Sequence, residues 1–167
     1  MLEKKGKALS LTVSLLAVIV LSVADQLFKY LAVAHLKPVG SIVLIKGILG
    51  LSYVENDGAM MGFLSGNVVV MAIISFAVLA GLVVFICFGK IGIGVPYFCL
   101  VAIISGGIGN IIDRIARGFV VDYIEFLFVR FYVFNFADML ITCACFILIF
   151  YEIVTAVKET KGRKSDA

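Results

Sequence analysis

The acids of this chain are few enough to take one by one: Glu3, Asp25, Glu55, Asp57, Asp113, Asp122, Glu125, Asp138, Glu152, Glu159 and Asp166. Any acid chemistry must draw on that set. Asp122 and Asp138 are the pair to single out, because Asp138 lies three residues beyond Asn135 at the start of a long apolar run and a strand-like return between the two acids would bring their carboxylates together. Two carboxylates in one site cannot both ionise cheaply, so one keeps a proton and the pair titrates as a unit. That supplies a general base to activate water and a general acid to protonate an amide, with no need for histidine, metal or covalent nucleophile. The alternative is structural: Asp138 complements the N-terminus of a helix and Asp122 pairs with Arg130. Spacing alone leaves both readings open.

Other polar groups gather near the same places: Asp25, Glu55, Asn56, Asp57, Asn110, Asp113, Arg114 and Asn135. Asp25 and Lys29, four residues apart, would share a helix face as an ion pair. The adjacent Asp113 and Arg114 point in different directions and need separate partners; Arg114 could donate to a carboxylate or a substrate carbonyl, or anchor at the interface. Asn110 and Asn135 could orient carboxylates or cap helices. Gly58 and Gly62 read first as loop flexibility. Ser22 is the one candidate for a serine–lysine mechanism, and its spacing to Lys29 does not set hydroxyl and amine on adjacent turns. The lone His35, and Cys87, Cys99, Cys143 and Cys145 inside apolar runs, argue against a histidine triad, a zinc site, a haem pair or a disulfide framework, so no metal or cofactor is expected.

The elements that position these groups must lie in a bilayer. Of 167 residues, 63% are hydrophobic and 15% charged, with a mean hydropathy of +1.18, far from a soluble domain. Spans of about 20 residues allow four crossings and no large extramembrane domain. Expected helices cover about 9–34, 68–88, 91–112 and 136–157, the middle two joined tightly at Gly89 and Lys90. The first could also be mistaken for a secretory signal, but its apolar run is longer and lacks a clear small-residue cleavage site, so a retained anchor is expected. Gly92, Gly94, Gly106, Gly107 and Gly109 in the third helix permit close helix approach. Basic residues at both ends, Lys4, Lys5 and Lys7, then Lys158, Lys161, Arg163 and Lys164, assign both termini to the cytoplasm. They do not form a nucleic-acid footprint. The polar cluster then falls on the outer face, with β segments at about 42–56 and 119–134 and an interfacial or re-entrant half-helix at Gly58–Leu64. The expected fold is a mainly α membrane protein: one integral domain over 1–157 with four transmembrane helices, a small outer β-cradle and the half-helix, then a polar cytoplasmic tail at 158–167.

Five short blocks occur in order along these elements: Asp25-Gln26-Leu27-Phe28-Lys29, Asn56-Asp57-Gly58-Ala59, Gly109-Asn110-Ile111-Ile112-Asp113-Arg114, Val121-Asp122-Tyr123-Ile124 and Phe134-Asn135-Phe136-Ala137-Asp138. With them the chain resembles, over essentially its whole length, the bacterial lipoprotein signal peptidases, or signal peptidase II. The resemblance implies a four-helix aspartyl endopeptidase of the cell membrane with an outer β-cradle. Its catalytic pair falls on Asp122 and Asp138, and its other functional positions on Asp25, Lys29, Asn56, Gly58, Asn110, Asp113, Arg114 and Asn135, as site supports or substrate contacts. The implied substrate is a prolipoprotein whose lipobox cysteine carries diacylglycerol, cut immediately before that cysteine. Membrane lipid is the other implied partner, and a monomer is expected. Met60 and Met61 replace the more usual Ala-Phe pair, which bears on half-helix packing and lipid contact. Two further classes compete. An ion-coupled transporter would distribute acids through the depth of the membrane, whereas the middles of the second and third helices carry no charge. An assembly subunit would use the glycines for packing and leave the outer acids without a role.

Overall fold

A computed structural model describes residues 2–58, 66–89 and 91–165, with side chains described between residues 11 and 161 of those ranges. Helix α1 (Leu2–Leu31) runs into a single π-helical turn, Ala32–Leu36. Strands β1 (Ser41–Ile45) and β2 (Leu49–Asn56) follow as a hairpin, then α2 (Val68–Phe88), α3 (Val95–Arg117), β3 (Val120–Phe126) and α4 (Phe136–Ser165). Among the described residues, four stretches are long and apolar enough to cross a membrane: Leu11–Leu36, Val68–Phe88, Val95–Arg117 and Phe136–Lys161. The expected mainly helical fold with four such helices and a small antiparallel sheet is therefore observed. The half-helix, Met60, Met61, Gly62 and the turn residue Lys90 fall outside the described residues, apart from Gly58.

The helices sort by how much of their surface the protein covers. α2 is apolar all round and has no buried residue, as expected of a helix whose solvent is lipid. α3 is the hub, packed against α1, α2 and α4. Its glycines explain the close approach: a Cβ on Gly106 would overlap the Ala137 carbonyl, one on Gly107 the Leu79 side chain, and one on Gly109 the Asp25 carboxylate. Small residues at the crossing give the packing that apolar burial cannot supply in lipid.

α3 occupies 95–117 rather than the expected 91–112. At its start, Gly94 is extended and Pro96 sits in the first turn, where a missing N–H costs nothing. At its end, Asp113 is paired with Lys29 and Arg117, and the helix continues through Asp113, Arg114 and Arg117 until Gly118, at φ 78, terminates it. The outer segments also resolve more finely than expected. The sheet order is β1-β2-β3, all antiparallel, and only Val120–Phe126 of the 119–134 segment is a strand. The chain then turns and returns at Phe134, which bridges Ile124 with N···O distances of 2.7 and 3.0 Å. Ala32 and Leu36 of the π turn pack with Val121 and Tyr123, seating the sheet on the end of α1.

Candidate active site

Asp25 and Lys29 lie one turn apart on α1, and Lys29 Nζ sits 2.9 Å from Asp25 Oδ2 and 3.2 Å from Asp113 Oδ2 of α3. All three side chains are wholly shielded from solvent. The remaining lone pairs are engaged. Asp25 Oδ1 accepts the Ala137 N–H in the first turn of α4 at 3.0 Å, and Asp113 Oδ2 accepts the Val121 N–H of β3 at 3.0 Å. Arg117 Nε donates to Asp113 Oδ1 at 3.2 Å. Two carboxylates around one ammonium thus tie α1, α3, β3 and α4 together, and such groups tolerate burial because they are paired and hydrogen-bonded.

Lys29 also donates to Asn110 Oδ1 at 2.8 Å, and the amide end of Asn110 donates to Asp138 Oδ1 at 2.8 Å. Asn135 is the second connector. Its Nδ2 donates to Asp122 Oδ1 at 2.6 Å and to Asn110 Oδ1 at 3.2 Å, while its Oδ1 accepts the Asp138 N–H at 2.9 Å. Asp138 Oδ2 in turn accepts the Asn135 N–H at 3.2 Å. This is the reciprocal N-cap arrangement, with Asn135 before the helix and Asp138 in its third position. Asp138 therefore caps α4 with one oxygen and faces Asn110 with the other, so the two readings left open by spacing are compatible. The other half of the structural alternative is corrected. Asp122 takes hydrogen bonds from Asn135 and Asn56 (2.8 Å to Oδ2), whereas Arg130 is exposed on the turn after β3 and has no ion pair among the described residues. β3 pairs Asp122 with Val54 across a shifted register, which carries the carboxylate toward Asn56 two residues on.

Asn56 Oδ1 accepts the Gly58 N–H at 3.1 Å, and the Arg114 guanidinium reaches the Gly58 carbonyl and the Asn110 carbonyl, each at 3.5 Å. The nine polar residues that the resemblance assigns to the site, together with Gly58, thus fall in one connected cluster. Among the described residues Glu55 and Asp57 do not join it: Glu55 pairs with Lys37 at 2.8 Å on the exposed side of the sheet. Sequence reasoning passed over Gln26, which donates to the Gly109 carbonyl at 3.1 Å, and Tyr123, whose hydroxyl oxygen accepts the Phe136 N–H at 3.3 Å. Both sit inside the ordered blocks, which was the available signal.

Burial pushes Asp122 from the usual carboxylate value of 3.8 up to about 7, and the neighbouring charge of Asp138 adds to the rise, against the pull of the Asn56 and Asn135 hydrogen bonds. An acid in this state still holds its proton close to neutrality. Asp122 is buried and Asp138 partly exposed, so the two carboxyl groups occupy unequal environments around shared amides.

Comparison with known proteins bears on that arrangement. A family model described as signal peptidase (SPase) II matches residues 16–154. The chain belongs to the signal peptidase II family. The matched stretch contains every polar position of the cluster. Among relatives named lipoprotein signal peptidase, one from Lactobacillus johnsonii is 34% identical over 158 residues, covering 95% of this chain and 100% of that protein. Another from Lactococcus lactis is 38% identical over 148 residues, covering 89% and 97%. A solved bacterial membrane enzyme structure, determined by the in meso method, superposes with a TM-score of 0.76 at 29% identity over 90% of this chain and 91% of that one. The likeness in fold thus extends over most of the chain.

Proposed function

We propose that this protein is a membrane aspartyl endopeptidase that removes the signal peptide from diacylglyceryl-modified prolipoproteins by cutting the amide bond before the lipidated lipobox cysteine. The observation that carries the reading is the Asn135 bridge: one side chain donates to Asp122 and accepts from the backbone of Asp138, holding two inequivalent carboxyl groups around one space. Family membership supports the peptidase class.

In this reading Asp122 and Asp138 share one proton. The charged partner, Asp138, takes a proton from water as the water oxygen bonds to the scissile carbonyl carbon, and Asp122 gives its proton to the carbonyl oxygen. The tetrahedral diol then returns a hydroxyl proton to Asp122, and Asp138 passes its proton to the departing nitrogen. The C–N bond breaks, leaving a carboxyl terminus on the signal peptide and a free amine on the lipidated cysteine. Asn56, Asn110 and Asn135 hold the carboxyl groups in place, Asp25, Lys29 and Asp113 brace the helices beneath them, and Arg114 with Gly58 borders the space where the peptide enters. The diacylglyceryl chains enter from the bilayer, so membrane anchoring supplies the effective concentration that side-chain recognition would otherwise have to provide.

The basic termini support a cytoplasmic location for both ends and an extracytoplasmic location for the site. Residues 1–157 then form one integral domain, 158–167 a cytoplasmic tail, and the working unit is a monomer in membrane lipid that needs no metal or cofactor. The test is single replacement in the full chain, purified in lipid, with a diacylglyceryl-modified precursor. Asp122→Asn and Asp138→Asn are each expected to reduce cleavage by at least about 10²–10⁴-fold, the usual worth of general acid–base catalysis, while precursor binding persists. Retained turnover in either variant overturns the assignment. Loss of wild-type cleavage with a chelator would point to a metal mechanism instead.

A further inference from the structure

The far end of the sheet has a surface unlike the rest of the polar layer. β1 is exposed at every position, on both faces, yet Ile42 to Ile45 are all apolar. The Lys46–Ile48 turn and the loop at 127–132 continue the same character, with Val43 62% and Phe128 66% exposed. The two tips form one patch: the Leu127 N–H donates to the Ile48 carbonyl at 2.9 Å. Within it, Phe126 packs at tilted angles against Phe128, Phe131 and Phe134 with ring centroids 5.0–6.4 Å apart, so the patch is an aromatic cluster. No Asp or Glu occurs in 41–49 or 126–134, while Lys46 and Arg130 are exposed there and make no ion pair among the described residues.

An apolar edge strand left in water invites edge-to-edge association, and natural sheets usually protect such edges with charge. This one is joined within a few residues to membrane-spanning helices at both ends, Leu36 before β1 and Phe136 after the Phe134 bridge. The membrane is therefore within reach of the patch. The unpaired backbone groups along the outer edge of β1 exclude the hydrocarbon interior, where no partner would satisfy them. They suit the headgroup layer, where water and phosphate are available and where aromatic residues concentrate.

We propose that this tip lies in the headgroup layer of the leaflet on its own side of the membrane, and that Lys46 and Arg130 recruit anionic phospholipid to it. The occupant is lipid, on two grounds: continuity with the spanning surface, and two cations with no ion pair among the described residues, the adjacent acid Glu125 being engaged by the Ser52 hydroxyl. Each cation near an anionic surface enriches its counter-charge about fivefold. The inference does not depend on which bond the enzyme cuts.

The chain contains no tryptophan, so one introduced residue reports alone. F128W in the full chain is reconstituted in bilayers carrying either brominated phosphatidylglycerol or brominated phosphatidylcholine at equal mole fraction. F76W, on the lipid-facing surface of α2, serves as the control for correct insertion. Stronger quenching of F128W by the phosphatidylglycerol, reduced toward equality by K46Q/R130Q and by high salt, is the expected result. F76W should respond equally to both lipids. Equal quenching of F128W by the two lipids overturns headgroup recognition, with the salt series deciding the matter should the double variant fail to insert. Absence of quenching by either lipid, with F76W quenched, means that the tip is in water or covered by protein, a second copy included, and overturns the proposal outright.

Discussion

Two lysines of this protein make ion pairs of nearly equal length with opposite consequences. Lys29 meets Asp25 at 2.9 Å and Asp113 at 3.2 Å with no solvent exposure on any of the three. Lys37 meets Glu55 at 2.8 Å and lies over the Tyr53 ring at 5.3 Å, but about half of each charged side chain is open to water. Distance does not separate them; surroundings do. In water the second pair exchanges one set of hydrogen bonds for another, although the Lys37 hydrogen bond, with Tyr53 adding a second, still holds Glu55 below its usual range. In the first, each buried side chain is partnered by the others, and the same lysine continues through Asn110 to Asp138. A paired charge organises structure where water cannot replace its partner.

The contrast can be broken most sharply at Lys29. Lys29→Met leaves two carboxylates without their shared cation, and the folded state should lose about 3–5 kcal/mol, the usual result of removing one partner of a buried set. Thermal melting in detergent measures it; an unchanged midpoint would mean that water reaches the triad. Next in size is Gly109→Ala. The added methyl would overlap the Asp25 carboxylate, and forcing that contact apart should lower stability by about 1–3 kcal/mol. The loss should be non-additive with Lys29→Met, because both act through Asp25.

A third test concerns protons. Burial beside Asp138 raises Asp122 to about 7, so the proposed mechanism requires the pH profile of kcat/KM to fall on its alkaline side near that value as Asp122 loses its proton. Asn56→Ala removes a hydrogen bond that favours the ionised form, and the limb should move upward by about one pH unit, roughly the 1.4 kcal/mol expected of such a bond. A limb that stays in place would detach Asn56 from the titration. The same raised value makes the folded state less stable as pH climbs from 3.8 to about 7, because over that interval the unfolded chain has already released a proton the folded chain retains. The smallest effect belongs to Lys37→Ala: no resolvable change in melting, and no change in the pH profile beyond experimental scatter.

Much of this molecule is legible in one dimension. Apolar runs of spanning length, the glycines of α3 and the ordering of five polar blocks are local properties, and lipid enforces them directly because an unpaired backbone group has no partner there. The ends of α3 were less legible. Charges at Asp113 and Arg114 look like a helix boundary until their partners are known, Lys29 of α1 and Val121 of β3 for the first and the Gly58 and Asn110 carbonyls for the second, since burial of a charge is decided by what it meets. The strand extent in 119–134 and the half-turn return at Phe134 were hidden for a similar reason: alternation marks a pleated segment but not where its neighbour stops.

Residue types and order therefore determined that the chain carries four stretches able to cross a membrane and which acids and amides are available near their ends. Tertiary structure alone decided that Asp138 both caps α4 and faces Asn110, that Asp122 stands against Asn56 across a shifted strand register, and that Lys29 rather than Lys37 is the enclosed cation. Sequence carries the charge of a side chain. The dielectric around that charge, and the partners that set its proton affinity, come from residues as many as 112 positions away along the chain, and exist only once the helices have packed.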